Sequence, residues 1–238
     1  MHKWSPFHRK IADRHDITRY RSTTEGIIAM HCPPVFRETR LPTLHALMRA
    51  HPLAMLITNG PSGLSANLIP FLLTDEGAFG TLHAHLARNN PQVDALKTAD
   101  PVLVVFQGPD SYISPDWYPS KQVQGKAVPT WNYVMVQARG TPKVIDDAQW
   151  LRQQVGALTD AHEHTRPQPW RVDDAPAGFI AAQLNGIIGL EIPITALEGK
   201  WKVSQNRTLA DRQGVIDGLQ RENGCPAMAA LVSARLAE

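Results

Sequence analysis

A histidine–arginine segment contains the first side chains that could do chemistry. His83 and His85 alternate along the apolar run 78–86, and Arg88 follows in the segment ARNNP (87–91). Residues at positions i and i+2 of a strand point to the same face, and an arginine presents a planar fork that fits a phosphate. The pattern therefore favours anion binding. A zinc site would need a third ligand, for which no cysteine or acid lies at a supporting spacing, and a solvated basic turn is the remaining alternative.

Three further segments combine aromatic, hydroxyl and cationic side chains. Their sequences are YISPDWYPSK (112–121), GKAVPTWNY (125–133) and EGKWKVSQNR (198–207). Aromatic rings with polar groups suit a planar ligand that carries polar substituents, and prolines reduce the entropy that a loop loses on binding. Each segment alone could simply pack on a core. Four such segments in one chain predict a shared pocket.

Several enzyme classes leave sequence signatures that this chain lacks. It has no Gly-x-Gly-x-x-Gly after a strand, no Gly-Lys-Ser/Thr phosphate loop and no Gly-x-Ser-x-Gly elbow, which argues against Rossmann, P-loop and α/β-hydrolase sites. The two cysteines, Cys32 and Cys225, lie near the chain ends. Their position disfavours a cysteine nucleophile, and their scarcity fits a reducing, cytoplasmic setting. No stretch approaches about 20 apolar residues, so no transmembrane helix is expected.

The elements that must position these side chains begin with a helix and a group of strands. A helix is predicted over 43–50, with Thr43 as its N-cap. Apolar runs between turn residues predict strands over 52–58, 64–73, 78–86, 101–108 and 131–145. We expect the first three strands to form an antiparallel meander and the last to bend at Gly140. The segment 109–130 is too long for a hairpin turn, and loops of this size are often functional.

The second half of the chain predicts helices around one long strand. Helices are expected over 146–163, 173–187 and 208–223, and a strand over 187–203. Asp146 or Asp147 can cap the first of these helices, and Pro176 falls in the first turn of the second. A short helix is also expected after Pro226. Five or six antiparallel strands with helices in the connections predict an α+β fold with a small β-barrel.

The N-terminal segment 1–29 differs in composition from the rest of the chain. It carries six Lys/Arg and three Asp/Glu, without the apolar core that a secretory signal needs. We expect it to be disordered, or to precede a functional start at Met30. The remaining residues carry 18 basic and 19 acidic side chains, which give no electrostatic footprint for DNA. The expected organisation is a leader (1–29), a domain over 30–225 and a C-terminal tail (226–238).

Much of the chain resembles the PaiB-type FMN-binding negative transcriptional regulators. The matching stretches are PPVFRET (33–39), HALMRAHPLAMLIT (45–58), SANLIPFLL (65–73), GTLHAHLARNNPQ (80–92), VFQGPDSYISPDWYPSK (105–121), VPTWNYVMV (128–136), IGLEIPITALEGKWKVSQN (188–206) and ADRQGVIDGL (210–219). Long strings in the expected order, from Met30 to Leu219, make the match specific. The resemblance implies an antiparallel split β-barrel with peripheral helices, and a homodimer that binds FMN at its subunit interface.

The resemblance also implies roles for individual residues. Arg88 would take the place of the basic residue that faces the FMN phosphate. Strand residues would line the flavin, and these are Asn67, Ile69 and Pro70 on one strand and Thr81, His83 and His85 on another. Lys126 and Trp131 would come from the partner subunit. No metal site is expected.

Negative regulation of transcription is the function that the resemblance implies. No segment has the pattern of a helix-turn-helix with a basic recognition helix, so DNA is only a weakly supported partner. Two alternatives use the same fold. One is an FMN-dependent oxidoreductase or flavin reductase, and the other is a haem-binding or haem-degrading protein with His83 or His85 as an axial ligand.

Overall fold

The computed structural model describes residues 30–61, 63–98, 100–222 and 224–236. The expectations for the leader 1–29 lie outside the described residues. Within them, nine strands form one antiparallel sheet system: β1 (Arg37–Glu38), β2 (Leu53–Gly60), β3 (Gly63–Pro70), β4 (Leu72–Thr74), β5 (Thr81–Ala87), β6 (Val102–Ile113), β7 (Thr130–Gly140), β8 (Lys143–Ile145) and β9 (Ile187–Lys202). The main path runs β3-β2-β6-β7-β9-β5-β4, and β1 and β8 both pair with β9.

The long strand β9 joins the two halves of this sheet. Its second part pairs with β7, and its first part pairs with β5 and β8. The pairing of β7 with β9 shifts register between Arg139 and Gly140, where the sequence predicted a bend. A β-carbon on Gly140 would lie 2.2 Å from the Pro193 carbonyl oxygen. Glycine is therefore required at this corner, because any side chain would push the two strands apart.

A single apolar core fills the inside of the barrel. Alternate residues of the central strands point inward and are fully buried, among them Leu56, Val104, Val136 and Leu190. The other face of β2, β3, β6, β7 and the second part of β9 points away from this core, and we call it the outer face. Period-two burial of this kind is what alternating strand sequences produce. The predicted α+β class is confirmed.

The predicted meander over 52–58, 64–73 and 78–86 is confirmed in its two antiparallel pairings, but the middle segment is not one strand, because it forms β3 and β4. Strand β3 pairs with β2, but β5 pairs with β4 and β9 instead of β3. The buried Phe71, whose N–H donates to the Pro52 carbonyl at 2.9 Å, separates β3 from the short strand β4. The chain thereby crosses to the other end of the strand order before β5 begins.

Seven helices pack around the sheet in the described residues. They are α1 (Leu41–Ala50), α2 (Gln92–Leu96), α3 (Pro119–Gln124), α4 (Ala148–Glu163), α5 (Ala177–Asn185), α6 (Leu209–Arg221) and α7 (Pro226–Ala234). The Asp147 cap of α4 is confirmed, since its carboxylate accepts from the Trp150 N–H at 2.7 Å. The Thr43 cap of α1 is wrong, because that helix begins two residues earlier with Arg40 as N-cap and Pro42 in its first turn.

The segment 109–130 is more ordered than the sequence pattern indicates, and the segment after Pro226 forms the short helix that was expected. The expected loop 109–130 contains the end of β6, a 3₁₀ turn (Pro115–Trp117) and α3. The segment 226–238 supplies α7, whose Met228 and Val232 are fully buried in the core. Among the described residues, no helix has both the length and the apolar content to span a bilayer.

Candidate functional site

Arg88 lies at the end of β5 and is bonded within the chain. Its guanidinium donates to both carboxylate oxygens of Asp146, each at 2.7 Å. It also donates to the carbonyls of Asn185 at 3.0 Å and Ile187 at 2.9 Å. The hydrogen bonds that Asp146 accepts from Arg88 lower the pKa of its carboxyl below the ordinary value. The contacts tie β5 to the segment before α4 and to the start of β9, so an anion at Arg88 would compete with a bidentate carboxylate.

His83 and His85 lie on the same face of β5, as predicted, and helix α4 covers that face. The His83 ring packs edge-on against Trp150 with centroids 5.8 Å apart, and His85 Nδ1 is 2.8 Å from Gln154 Oε1. Gly189 of β9 permits this approach, because a β-carbon there would lie 2.4 Å from the Trp150 ring. Trp150 and Gln154 therefore occupy the space that a ligand on this face of β5 would need.

The remaining predicted positions on β3 and β5 face different surroundings. Thr81 is buried and its hydroxyl donates to the Glu76 carbonyl at 3.0 Å. Asn67 donates to the buried Gln92 of α2 at 2.9 Å, and Ile69 is buried in the core. Pro70 belongs to the opposite face of β3. Within one chain, the predicted flavin-lining residues therefore do not share one surface, because some contact α4 or α2, some are buried and Pro70 lies on the outer face.

Lys126 and Trp131 lie in the third region that the sequence identified. Lys126 is exposed in the segment after α3, and Trp131 is 55% exposed on the outer face of β7. The Trp131 ring packs edge-on against Tyr112 of β6, which is 42% exposed, with centroids 5.9 Å apart. These two aromatic side chains therefore lie exposed on the outer face, and no described helix or strand packs on them.

Two lysines of β9 share the outer face with this aromatic pair. Lys200 is only 9% exposed; its Nζ donates to the His31 carbonyl at 2.9 Å and lies 5.3 Å from the centre of the Tyr133 ring. Lys202 Nζ donates to Thr130 Oγ1 at 2.6 Å and to the Trp131 carbonyl. Burial, followed by the nearby charges of Lys200 and Arg207, lowers the pKa of Lys202 below its ordinary value. The sequence identified both lysines as cations of the segment 198–207, and the structure places them on the outer face, opposite Met135 and Tyr133 of β7.

The turn after β9 holds a strained backbone. Ser204 is buried and has φ +65°, in the left-handed region that residues other than glycine rarely adopt. The Asn132 side-chain amide donates to the Ser204 hydroxyl at 2.9 Å. Strain of this kind costs on the order of 1–3 kcal/mol and is found most often at functional sites. The turn fixes the direction of the chain directly after Lys202.

The outer face becomes apolar toward β2 and β3. Four large exposed side chains form this surface, which we call the apolar strip: Leu53, Met55, Leu64 and Leu68. Met55 and Leu68 are cross-strand partners. Contiguous exposed apolar side chains usually mark a contact surface. Among the described residues, no group of three or more His, Cys, Asp or Glu side chains gathers in a way that could hold a metal.

Comparisons with known proteins agree with a cofactor-binding fold. A family model described as "Putative FMN-binding domain" matches residues 30–196. An uncharacterized protein of Aspergillus fumigatus is 36% identical over 240 residues, covering 81% of this chain and 91% of that protein. The protease synthase and sporulation protein PAI 2 of Bacillus subtilis is 28% identical over 193 residues, covering 81% of this chain and 90% of that protein.

Solved structures share the fold at low sequence identity. The FAD and haem binding protein from Mycobacterium smegmatis matches with a TM-score of 0.54 at 20% identity, covering 70% of this chain and 73% of that chain. A conserved hypothetical protein from Mycobacterium tuberculosis matches with a TM-score of 0.52 at 10% identity, covering 73% of this chain and 91% of that chain. The fold is the antiparallel split β-barrel with peripheral helices that the resemblance implied.

Proposed function

Because the chain belongs to the family described as "Putative FMN-binding domain", we propose that it is an FMN-binding flavoprotein whose cofactor lies on the outer face. The single observation that carries this placement is the exposed pair Trp131 and Tyr112 beside the lysines of β9. FMN has a planar ring system at one end and a phosphate at the other. The aromatic pair suits the ring system, and the lysines suit the phosphate, so the residues present fit the cofactor.

The haem alternative has less support from the geometry. An axial ligand needs an imidazole nitrogen that faces an open space. His83 packs on Trp150 and His85 bonds to Gln154, both beneath α4. A haem at either histidine would require α4 to move away from β5. FMN on the outer face requires no such movement.

We further propose that two copies of the chain associate through the outer face. The apolar strip gives this association its driving force, because exposed apolar side chains gain free energy when another surface covers them. A two-fold axis would place the same strip of each copy against its equivalent. The aromatic pair and the lysines at the other end of the outer face would then lie at the edge of the interface, where the resemblance implies that FMN binds.

The finer role that we propose is control of transcription in the cytoplasm. Its support is the match to PAI 2, a protease synthase and sporulation protein by its name, together with the resemblance stated above. Both cysteines lie unpaired in the structure, which fits a reducing compartment. Reduction of the bound FMN by NADH or NADPH, followed by transfer to an acceptor, would support the oxidoreductase alternative instead.

A titration of the full chain with FMN tests the cofactor proposal. We expect the flavin fluorescence to change on binding, and Trp131→Ala to raise the Kd of FMN and riboflavin by the same factor, about 5- to 100-fold for loss of one stacked ring. Trp170→Ala is the matched control, because Trp170 is also exposed but lies after α4. Unchanged affinity in Trp131→Ala would remove the flavin from this surface.

Sedimentation of a charge variant tests the dimer. We expect Leu68→Glu to convert the dimer to a monomer, because two carboxylates would meet inside the apolar interface. Leu209→Glu is the control, since Leu209 is exposed on α6 and away from the strip. A dimer that persists in Leu68→Glu at micromolar concentration would contradict the interface.

A further inference from the structure

Lys200 and Lys202 carry positive charge that the described residues do not balance. Neither lysine forms an ion pair with a carboxylate within the described ranges, although Lys200 is almost fully buried. Among the residues that the structure describes, their ammonium groups donate only to neutral oxygens, which belong to His31, Thr130 and Trp131. Arg207 adds a third charge nearby and stacks over the Tyr118 ring at 4.6 Å.

Two acids share the outer face with these lysines, and among the described residues neither forms an ion pair with them. Glu198 precedes Lys200 by two positions and pairs with Arg139 at 2.7 Å. Asp110, in the cross-strand row of Tyr133 and Lys202, accepts a hydrogen bond from Gln107 at 3.0 Å. A buried cation without a counter-charge is costly. Burial and, after it, the repulsion from Lys200 and Arg207 lower the pKa of Lys202. A bound anion would offset this repulsion.

Arg88, in contrast to the two lysines, already has a carboxylate as its counter-charge. Its guanidinium has a bidentate carboxylate partner and two carbonyl partners. A phosphate at Arg88 would have to displace Asp146, and the displaced carboxylate would then repel the phosphate. Lys202 uses two hydrogen bonds, while an ammonium group has three donors. The β9 lysines can therefore accept an anion without breaking an ion pair.

We infer that Lys202, supported by the charge of Lys200, binds the phosphate of FMN, and that Arg88 is a structural residue that fixes the ends of β5 and β9. This inference rests on the FMN binding proposed above. The strained turn at Ser204 holds the chain that follows Lys202 in one direction. Lys202 Nζ donates to the Trp131 carbonyl, so this cation adjoins the aromatic pair that would hold the ring system.

Paired titrations with FMN and riboflavin test the inference, because riboflavin lacks the phosphate. We expect Lys202→Met to raise the Kd of FMN about 10- to 100-fold and that of riboflavin less than about 3-fold. Lys202→Arg, which keeps the charge, should recover much of the FMN affinity. Arg88→Met should change both affinities by one common factor. Lys97→Met is the control, because Lys97 is an exposed lysine paired with Asp94.

Each result leads to one conclusion. Equal losses of FMN and riboflavin in Lys202→Met, or no loss, would overturn the inference while leaving FMN binding intact. A loss specific to FMN in Arg88→Met would return the phosphate to Arg88. If the unmodified chain binds neither ligand, the inference and the proposed function both fail. Thermal unfolding of every variant checks that the compared proteins are folded. If Arg88→Met does not fold, Arg88→Lys is used in its place.

Discussion

Glu38 of β1 is the carboxylate whose replacement should cost the most stability. Its side chain is 3% exposed and accepts from the backbone N–H groups of Thr39 at 3.0 Å and Arg40 at 2.9 Å. The guanidinium groups of Arg40 and Arg235 also donate to it. Burial alone would raise the pKa of Glu38, but these hydrogen bonds and charges lower it from 4.5 to about 2. Arg235 follows α7, so this carboxylate joins β1 to the C-terminal helix.

The magnitude follows from that pKa. A decrease from 4.5 to about 2 corresponds to about 3 kcal/mol, at about 1.4 kcal/mol per unit. Because the folded pKa is the lower one, this stabilisation is fully present above pH 4.5 and is lost as the pH falls toward 2. Glu38→Gln should therefore lower the free energy of unfolding by about 3 kcal/mol at pH 7, and the difference from the unmodified chain should vanish near pH 2.

Urea unfolding of both proteins at several pH values measures this difference. Other carboxylates titrate in the same range, but their contributions cancel when the two proteins are compared at each pH. Glu76→Gln is the control, because the Glu76 side chain is exposed. A loss below about 0.5 kcal/mol at pH 7, the range of ordinary surface substitutions, would refute the reasoning. A difference independent of pH would also refute it.

Two further predictions concern glycine positions and DNA. Gly140→Ala should destabilise the fold by more than about 2 kcal/mol, because the new methyl would meet the Pro193 carbonyl at 2.2 Å. Gly156→Ala should instead stabilise it by up to about 1 kcal/mol, because its methyl would meet nothing within 4 Å beyond the backbone of α4 itself. Thermal unfolding compares the two variants, and equal effects would contradict the packing. The near-neutral body predicts weak DNA binding that falls steeply between about 50 and 200 mM salt. A promoter preference above about a thousandfold over random DNA would contradict this prediction and would mean that the proposed control of transcription acts through direct and specific promoter contact.

The sequence predicted those parts of the fold that depend on local pattern. The Asp147 cap and the helix that follows it are local features, and so are the alternating strands and the corner at Gly140. The meander was wrong only in its continuous middle strand, because β3 and β4 lie at opposite ends of the strand order, and β5 also pairs with β9, about a hundred residues later in the chain. Alternation shows which residues share a face, but it does not show which strand lies beside them.

The candidate site could be predicted only in part for the same reason. A lone arginine after a strand favours anion binding, but its carboxylate partner Asp146 lies 58 positions away. Likewise, the spacing of His83 and His85 correctly indicated one shared face. It could not show that Trp150 and Gln154 cover that face. The two lysines of β9 were visible in the sequence, but their burial and lack of a carboxylate partner among the described residues became evident only in the structure.

Native mass spectrometry of the purified full chain in the presence of FMN tests the central claim most directly. One spectrum reports both the number of chains in the particle and the number of FMN molecules bound to it. FMN binding on an outer face that two copies share predicts a particle of two chains and two FMN molecules. It also predicts that Leu68→Glu yields single chains with weakened FMN binding. A single chain that retains full FMN affinity, or a dimer that binds no FMN, would contradict the account.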